Sequence, residues 1–346
     1  MSVGVRQLCC REGTNARSFA RGRENLKAAA QIETGEELFR QIVEGEGRAV
    51  LRAAERGQLE PGWSASSCAA ETPGGQATTR IYASADGVLV PATTQAEKEK
   101  RRATVRAWRR KTPRKRRGKL RRLGAVKQGS DQRYKQVYVT AFYDQSQKHR
   151  LVGVTRREAK GLGRLLKREA DRVGIMGAKE RVGIIDGAVC LKNHLDELPL
   201  QAVVLDFYHF SEHVGVAAAQ TLGEQSGPWL EETLHAARHE GYAPFFRKVQ
   251  EWRRPLRGGK RKAADALVGY VEPREEMIRY AECERKGWNV GSGPMESMCG
   301  VTTDRIKGRG RRWDLDHAEE LMALEALYQS SGLWDRYWSH SLHHLN

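Results

Sequence analysis

Two short apolar runs do most to constrain the fold: residues 181–185 (RVGII) and 202–205 (AVVL). Both are bounded by polar residues and lack the alternation of a half-exposed strand. Runs of that kind suit strands buried on both faces of a largely parallel sheet. Each is followed at once by an aspartate, Asp186 and Asp206. Three earlier strands are expected at 80–90 (RIYASADGVLV), 134–143 (YKQVYVTAFY) and 150–155, the last leading into a helix over 156–173. Three strands without intervening helices suggest an antiparallel meander, and the later ones alternate with helices, so the expected class is α/β with a mixed sheet.

Helices account for most of the remainder. In 16–57, Phe19, Leu26, Ala29 and Ala30 set a helical period. Thr34-Gly35-Glu36-Glu37 then reads as a capping box opening a second helix, whose apolar face includes Leu38, Ile42, Val50 and Leu51. Two helices joined by a short turn also compose a helix-turn-helix, although many helical hairpins bind nothing. The Ser-, Gly-, Thr- and Pro-rich stretch 63–79 reads as a linker. From 211 to about 284 the pattern is mostly helical, with a break at Arg257-Gly258-Gly259-Lys260, and a last helix pair is expected near 294–306 and 316–330.

The charge is lopsided. The 346 residues carry 60 Lys and Arg against 43 Asp and Glu, a net +17. That excess is clustered, which points to a polyanionic partner, above all nucleic acid. The densest run lies within 97–127 and contains Trp108, Arg114, Lys115, Arg116 and Arg117; a second covers Lys307, Arg309, Arg311 and Arg312. The first is expected to be a solvated basic loop that orders on phosphates. Neither run carries a sequence preference, because phosphate contacts position rather than specify. The six cysteines form no C-x-x-C pair and no zinc-finger spacing, and reduced thiols are expected. No apolar run approaches transmembrane length and no G-x-x-x-x-G-K-[ST] is present, so a membrane protein and a P-loop kinase or ATPase are disfavoured.

Carboxylates carry the chemistry. Asp86 and Asp186 are read at strand ends and each precedes a glycine, Gly87 and Gly187. A carboxylate at a strand end can project into the crevice where α/β proteins place ligands. Asp-Gly alone is an ordinary turn dipeptide; a third group changes the balance. Gly291-Ser292-Gly293-Pro294-Met295-Glu296 reads as a loop entering a helix, with Ser292 able to cap and Pro294 suited to the first turn. Glu296, Gly300, Thr303 and Lys307 then share one small, polar helix face, and Met295, Met298 and Thr302 the packed one. Three carboxylates from separate segments suit Mg²⁺, which takes oxygen ligands and keeps several waters. Two such ions about 3.5–4 Å apart activate an attacking oxygen and stabilise a leaving one. Asp206 and His209, spaced D-x-x-H, are candidates for orienting a phosphate or supporting the ligands. His209 and His213 stand at i, i+4, but zinc ranks low because no third ligand has convincing spacing.

Five motifs in this order resemble the DDE transposases of bacterial insertion sequences, within the Mutator-like superfamily and most closely its ISKra-type group. They are Tyr82-Ala83-Ser84-Ala85-Asp86-Gly87-Val88, Ile184-Ile185-Asp186-Gly187-Ala188, Leu205-Asp206-Phe207-Tyr208-His209, Gly291-Ser292-Gly293-Pro294-Met295-Glu296-Ser297 and Arg305 to Trp313 (RIKGRGRRW). The resemblance implies a ribonuclease-H-like sheet flanked by helices, and Asp86, Asp186 and Glu296 as a catalytic triad holding two Mg²⁺ or Mn²⁺ ions. Asp206 and His209 match the superfamily's (Cys/Asp)-x-x-His element, and Asp206 competes with Asp186 for the second carboxylate. It further implies DNA partners (element ends and target), a homo-oligomer on DNA, and a bacterial cytoplasmic, nucleoid-associated location.

The expected organisation is a helical N-terminal region (1–62) open to DNA binding, a linker (63–79), and a first core segment (80–210, with a basic loop at 97–130). A helical insertion (211–285), a second core segment (286–330) and a C-terminal tail (331–346) follow. The expected activity is metal-dependent DNA cleavage and strand transfer. A ribonuclease-H-like nuclease or resolvase without strand transfer, and a non-catalytic DNA-binding derivative, are the alternatives; the intact acidic triad argues against the last.

Overall fold

Residues 1–111 and 123–339 are described by the computed structural model. Helices α1 (Val3–Asn15) and α2 (Phe19–Ala30) each open on a serine, Ser2 and Ser18, whose hydroxyl accepts a hydrogen bond from a first-turn N–H. Helix α1 lies outside the expected helices; its residues carry no strong apolar stripe, and it is held by burial of Cys9 and Cys10. Helix α3 (Glu36–Glu55) starts after Gly35 with no side-chain cap, because the Thr34 hydroxyl hydrogen-bonds the Gly35 carbonyl instead. The expected capping box is therefore absent. Its buried face also differs: Phe39, Val43, Val50 and Ala53 point inward, while Leu38 is 49% exposed.

The stretch expected as a linker is structured. A 3-10 turn (Ala65–Ser67) leads into β1 (Ala69–Glu71), which pairs antiparallel with the start of β2 (Ala77–Pro91). The Gly and Thr content serves the connecting turn, where Gly75 takes φ +75°.

Next come α4 (Gln95–Lys111), β3 (Tyr134–Asp144), β4 (Arg150–Thr155), α5 (Ala159–Arg172), β5 (Glu180–Ile185), α6 (Val189–Leu195) and β6 (Ala202–Leu205). They form a six-stranded mixed sheet in the order β4-β3-β2-β5-β6, with β1 on the start of β2. Strands β2, β3 and β4 make an antiparallel meander; β5 and β6 run parallel to β2. All four residues of β6 are buried, as its unbroken apolar run requires. The segment expected as a basic loop is helical to Lys111, with no residue buried. The signal is a reciprocal capping box: the Thr94 hydroxyl accepts from Glu97 N, and the Glu97 carboxylate accepts from Thr94 N. Arg114, Lys115, Arg116 and Arg117 lie outside the described residues.

After β6, helices α7 (Phe207–Leu222), α8 (Ser226–His235), α9 (Tyr242–Arg253), α10 (Gly258–Val271) and α11 (Tyr280–Lys286) gather in part around Phe210, Phe245 and Tyr280, with ring centroids 5.1 and 5.3 Å apart from Phe210. Helix α12 (Gly293–Lys307) packs across β2, and α13 (Leu315–Gln329) packs on β4 and α3. Leu333–Ser339 forms α14 within the expected tail. A Cβ at Gly47 of α3 would lie 2.2 Å from the Glu320 carbonyl of α13, so these two helices meet backbone to backbone. The N-terminal helices thus share one hydrophobic core with the sheet. Among the described residues, no helix is long and apolar enough to cross a membrane.

One buried acid makes the core pH-sensitive. Glu169 on α5 is 2% exposed and accepts a 2.5 Å hydrogen bond from the Thr140 hydroxyl of β3. A Cβ at Gly153 would sit 1.9 Å from its Oε1, so the glycine makes room for it. Burial raises its carboxyl to about 7, against the pull of Thr140, Arg172 and Arg168. A folded value above the ordinary one favours the protonated fold. Its contribution is fully present below about pH 4.5 and is lost as pH rises through about 7. That loss is worth about 3 kcal/mol, or about 4 °C in a chain this size. Thermal unfolding followed from pH 4.5 to 7.5 should therefore fall less steeply for Glu169→Gln than for the unaltered protein. Equal slopes would contradict this assignment.

Candidate active site

The site is built on one face of β2. Alternation places Arg80, Tyr82, Ser84 and Asp86 on the same side. The segment before and within α12 runs over that side. Arg80 donates to the carbonyls of Lys286 and Gly287 (2.9 and 2.6 Å), and Asn289 N donates to the Tyr82 hydroxyl (2.9 Å). Further along, Asp86 meets Cys299 of α12. Burial pushes the Cys299 thiol up, and the charge of Asp86 and a hydrogen bond to it push in the same direction. Asp86 lies inside β2, opposite Val139 of β3, and not at the strand end expected. The reason is that β2 keeps its antiparallel partner as far as Pro91, whereas its parallel pairing with β5 stops at Ala83↔Gly183.

Asp186 and Asp206 follow directly on the last β5–β6 pair, Ile185↔Leu205, and Asp206 N donates to the Ile185 carbonyl at 2.8 Å. Asp86 lies in β2 three residues beyond its last pair with β5, Ala83↔Gly183. Asp186 Oδ1 accepts from Ala188 N at 2.9 Å, closing the turn after β5. Gly187 takes φ +92° there, so that glycine is demanded by the turn itself. Arg274 Nε donates to the Gly187 carbonyl at 2.9 Å and its guanidinium lies 4.2 Å over the Tyr270 ring. Burial, with the charges of Asp186 and Asp206 against that of Arg274, raises the Tyr270 hydroxyl to about 12.

Asp206 is fully buried and its carboxylate is spent on backbone. One oxygen accepts from His209 N (2.8 Å), capping α7; the other accepts from Ser292 N, at the entrance to α12. A single side chain thus fixes two helix starts. Ser292 is the N-cap residue of α12, but its hydroxyl makes no backbone cap and donates instead to Glu296 Oε1 at 3.1 Å. Glu296 sits in the first helical turn, 61% exposed, and its Oε1 is 3.9 Å from His209 Nε2. Met295, Met298 and Thr302 are buried as expected; Thr303, expected on the polar face, is also buried, where its hydroxyl donates to the Cys299 carbonyl at 2.8 Å. His213 does not join His209: it stacks on Tyr270 at 3.7 Å, and burial and Arg274 lower its pKa.

The second basic run divides. Arg311 Nη1 donates to the Arg305 carbonyl at 2.6 Å near the end of α12, and Arg312 pairs with Glu97 at 3.1 Å, tying this run to α4. Lys307 and Arg309 face solvent.

Among the described residues, no three His, Cys, Asp or Glu side chains stand close enough together to hold a metal ion. Asp86 lies within β2, Asp186 directly follows β5 and Glu296 opens α12; Asp86 and Glu296 both act on the Cys299 thiol, and Asp186 acts on Tyr270. As donors the three acids suit a hard divalent cation, being all oxygen, on separate elements and accessible at Glu296. Arg274 and Cys299 are the site neighbours that sequence reading missed. Cys299 follows Glu296 by three residues and was legible as a helical neighbour; Arg274 had no sequence signal. Comparison with known proteins found no family model and no curated protein that matches the chain.

Proposed function

We propose that this chain is a DDE-type transposase with a ribonuclease-H-like core, acting on DNA by metal-dependent strand cleavage and transfer. The observation that carries the proposal is the placement of aspartates on adjacent strands, Asp86 within β2 and Asp186 and Asp206 immediately after β5 and β6, with the Glu296-bearing helix packed on β2. An antiparallel meander continued by parallel strands is the sheet expected of such a core. Asp86, Asp186 and Glu296 are the residues that would hold Mg²⁺ or Mn²⁺. Bound there, a pair of such ions would polarise the phosphate and lower the pKa of the attacking water or hydroxyl.

The chain's own residues do the rest. Asp206 holds the start of α12 at its height through Ser292 N, and so sets where Glu296 stands. His209, 3.9 Å from Glu296, is placed to donate to a phosphate oxygen or to the carboxylate. Exposed Lys307 and Arg309, and the basic helix α4, supply positive charge to a duplex backbone. None of these acids pairs a nucleophile with a base, so a covalent protein–DNA intermediate is not part of the proposal.

Titration calorimetry with Mn²⁺ on the full chain tests the assignment. Binding is expected for the unaltered protein and should weaken by about 10-fold or more in Asp86→Asn and in Asp186→Asn, at least the loss seen for groups that only support ligands. Unchanged Mn²⁺ affinity in both would remove these residues from the metal site.

A further inference from the structure

We propose that a cleft at the opposite edge of the sheet binds a short single-stranded run of nucleic acid, with its phosphates on α5 and its bases on an apolar floor. The cleft lies along β4 between α3, α5 and α13, and has a volume of about 830 Å³. That is within the range of sites that enclose a ligand. It suits one or two nucleotides and is too small for a duplex, whose major groove alone is about 12 Å wide.

Its chemistry is divided. Leu51 and Ala54 of α3, both part-exposed, contribute to the floor. Arg164, Arg168 and Arg172 form one wall, spaced i, i+4, i+8 on α5 and so about 6 Å apart along its axis. Arg52 of α3 also lines the cleft. Elsewhere in the lining Arg48 pairs with Glu320 at 2.8 Å and Arg157 with Glu55, and Glu169 offsets part of the charge of Arg168 and Arg172. Among the described residues, Arg168 Nε, Arg172 Nε and Arg172 Nη2 are buried donors with no hydrogen-bond acceptor. Orphaned guanidinium donors are costly, and the ligand group that matches their fork is a phosphate or carboxylate. A row of guanidiniums over an apolar surface favours the strand. Successive phosphates follow the row while each base turns its face to the apolar surface of α3, the arrangement used by proteins that bind single strands without sequence preference. The cleft lies at β4, the edge farthest from β6, and its arginines are independent of Asp86, Asp186 and Glu296.

The test uses the full chain in EDTA, with fluorescence anisotropy of a fluorescein-labelled 12-nucleotide thymidine strand at low salt. Arg52→Glu with Arg164→Glu changes two exposed cleft residues, so folding is not at stake. Its affinity should fall at least about tenfold. Arg247→Glu with Arg254→Glu, an equal charge change on exposed residues outside the cleft, should cost much less. Arg168→Gln should weaken binding without altering net charge by more than one. Unlabelled strand should displace the probe at far lower concentration than thymidine 3′,5′-bisphosphate or inorganic phosphate. Equal losses in the two double variants would overturn the proposal, as would no loss in the cleft variant. Displacement by hexaglutamate as effective as by the strand would overturn it in favour of an acidic peptide.

Discussion

Glu296→Gln is expected to fold normally and to lose DNA strand cleavage by about 10³-fold or more, the scale on which removal of a group that holds charge at a transition state is felt. The substitution keeps the length of the side chain and the acceptor for the Ser292 hydroxyl, the 3.1 Å contact that fixes its direction. With 61% of the side chain exposed, little packing is at risk, and stability should stay within about 0.5 kcal/mol. What changes is one negative charge at the entrance of α12. A variant that unfolds at the same temperature and cuts at the unaltered rate would take Glu296 out of the chemistry.

Asp206→Ala should act on both stability and activity. The side chain is fully buried and accepts from two backbone N–H groups, His209 N and Ser292 N. Removing it costs the cap of α7, about 1 kcal/mol, and leaves a buried donor at Ser292, about 1–3 kcal/mol more. The total should be about 2–4 kcal/mol by chemical denaturation. Loosening of Ser292 frees the start of α12, so metal should be needed at roughly 10–100-fold higher concentration, with cleavage retained at saturation. Asp206→Asn is informative beside it: its amide oxygen can cap one helix, but its NH₂ would face the other backbone N–H. Loss of cleavage as complete as in Asp186→Ala, with metal saturating, would instead make Asp206 a direct ligand.

Much of the sheet could be read because its strands have clear boundaries. Residues 150–155 and 202–205 are strands with the expected limits, and 134–143 extends by one residue to Asp144. Boundaries failed where tertiary pairing overrides local pattern. The linker became a hairpin because β2 extends back to Ala77 and offers β1 a partner. Asp86 moved inside a strand because β3 continues past the point where β5 ends. Helix α1 gave little pattern to read, since its burial rests on two small cysteines. At the site, Glu296 could be placed from Pro294 and helical period alone. The double use of Asp206 could not, because Ser292 is 86 residues away in sequence. Nor could Arg274, which reaches Gly187 across 87 residues from the helical segment after β6.

Asp86, Asp186 and Glu296 are proposed to perform metal-dependent phosphodiester chemistry. That assignment is tested most directly by incubating the full chain with labelled duplex taken from the DNA flanking its reading frame, together with a target plasmid. Mg²⁺ or Mn²⁺ is compared with EDTA. Cut ends and end-to-plasmid joined product are expected with either metal, and neither product in EDTA, because no cation then offsets the negative charge of the carboxylates against the phosphate. Cleavage and joining undiminished in EDTA would contradict the assignment outright; metal-dependent cutting of verified ends without any joined product would replace strand transfer by a nuclease activity.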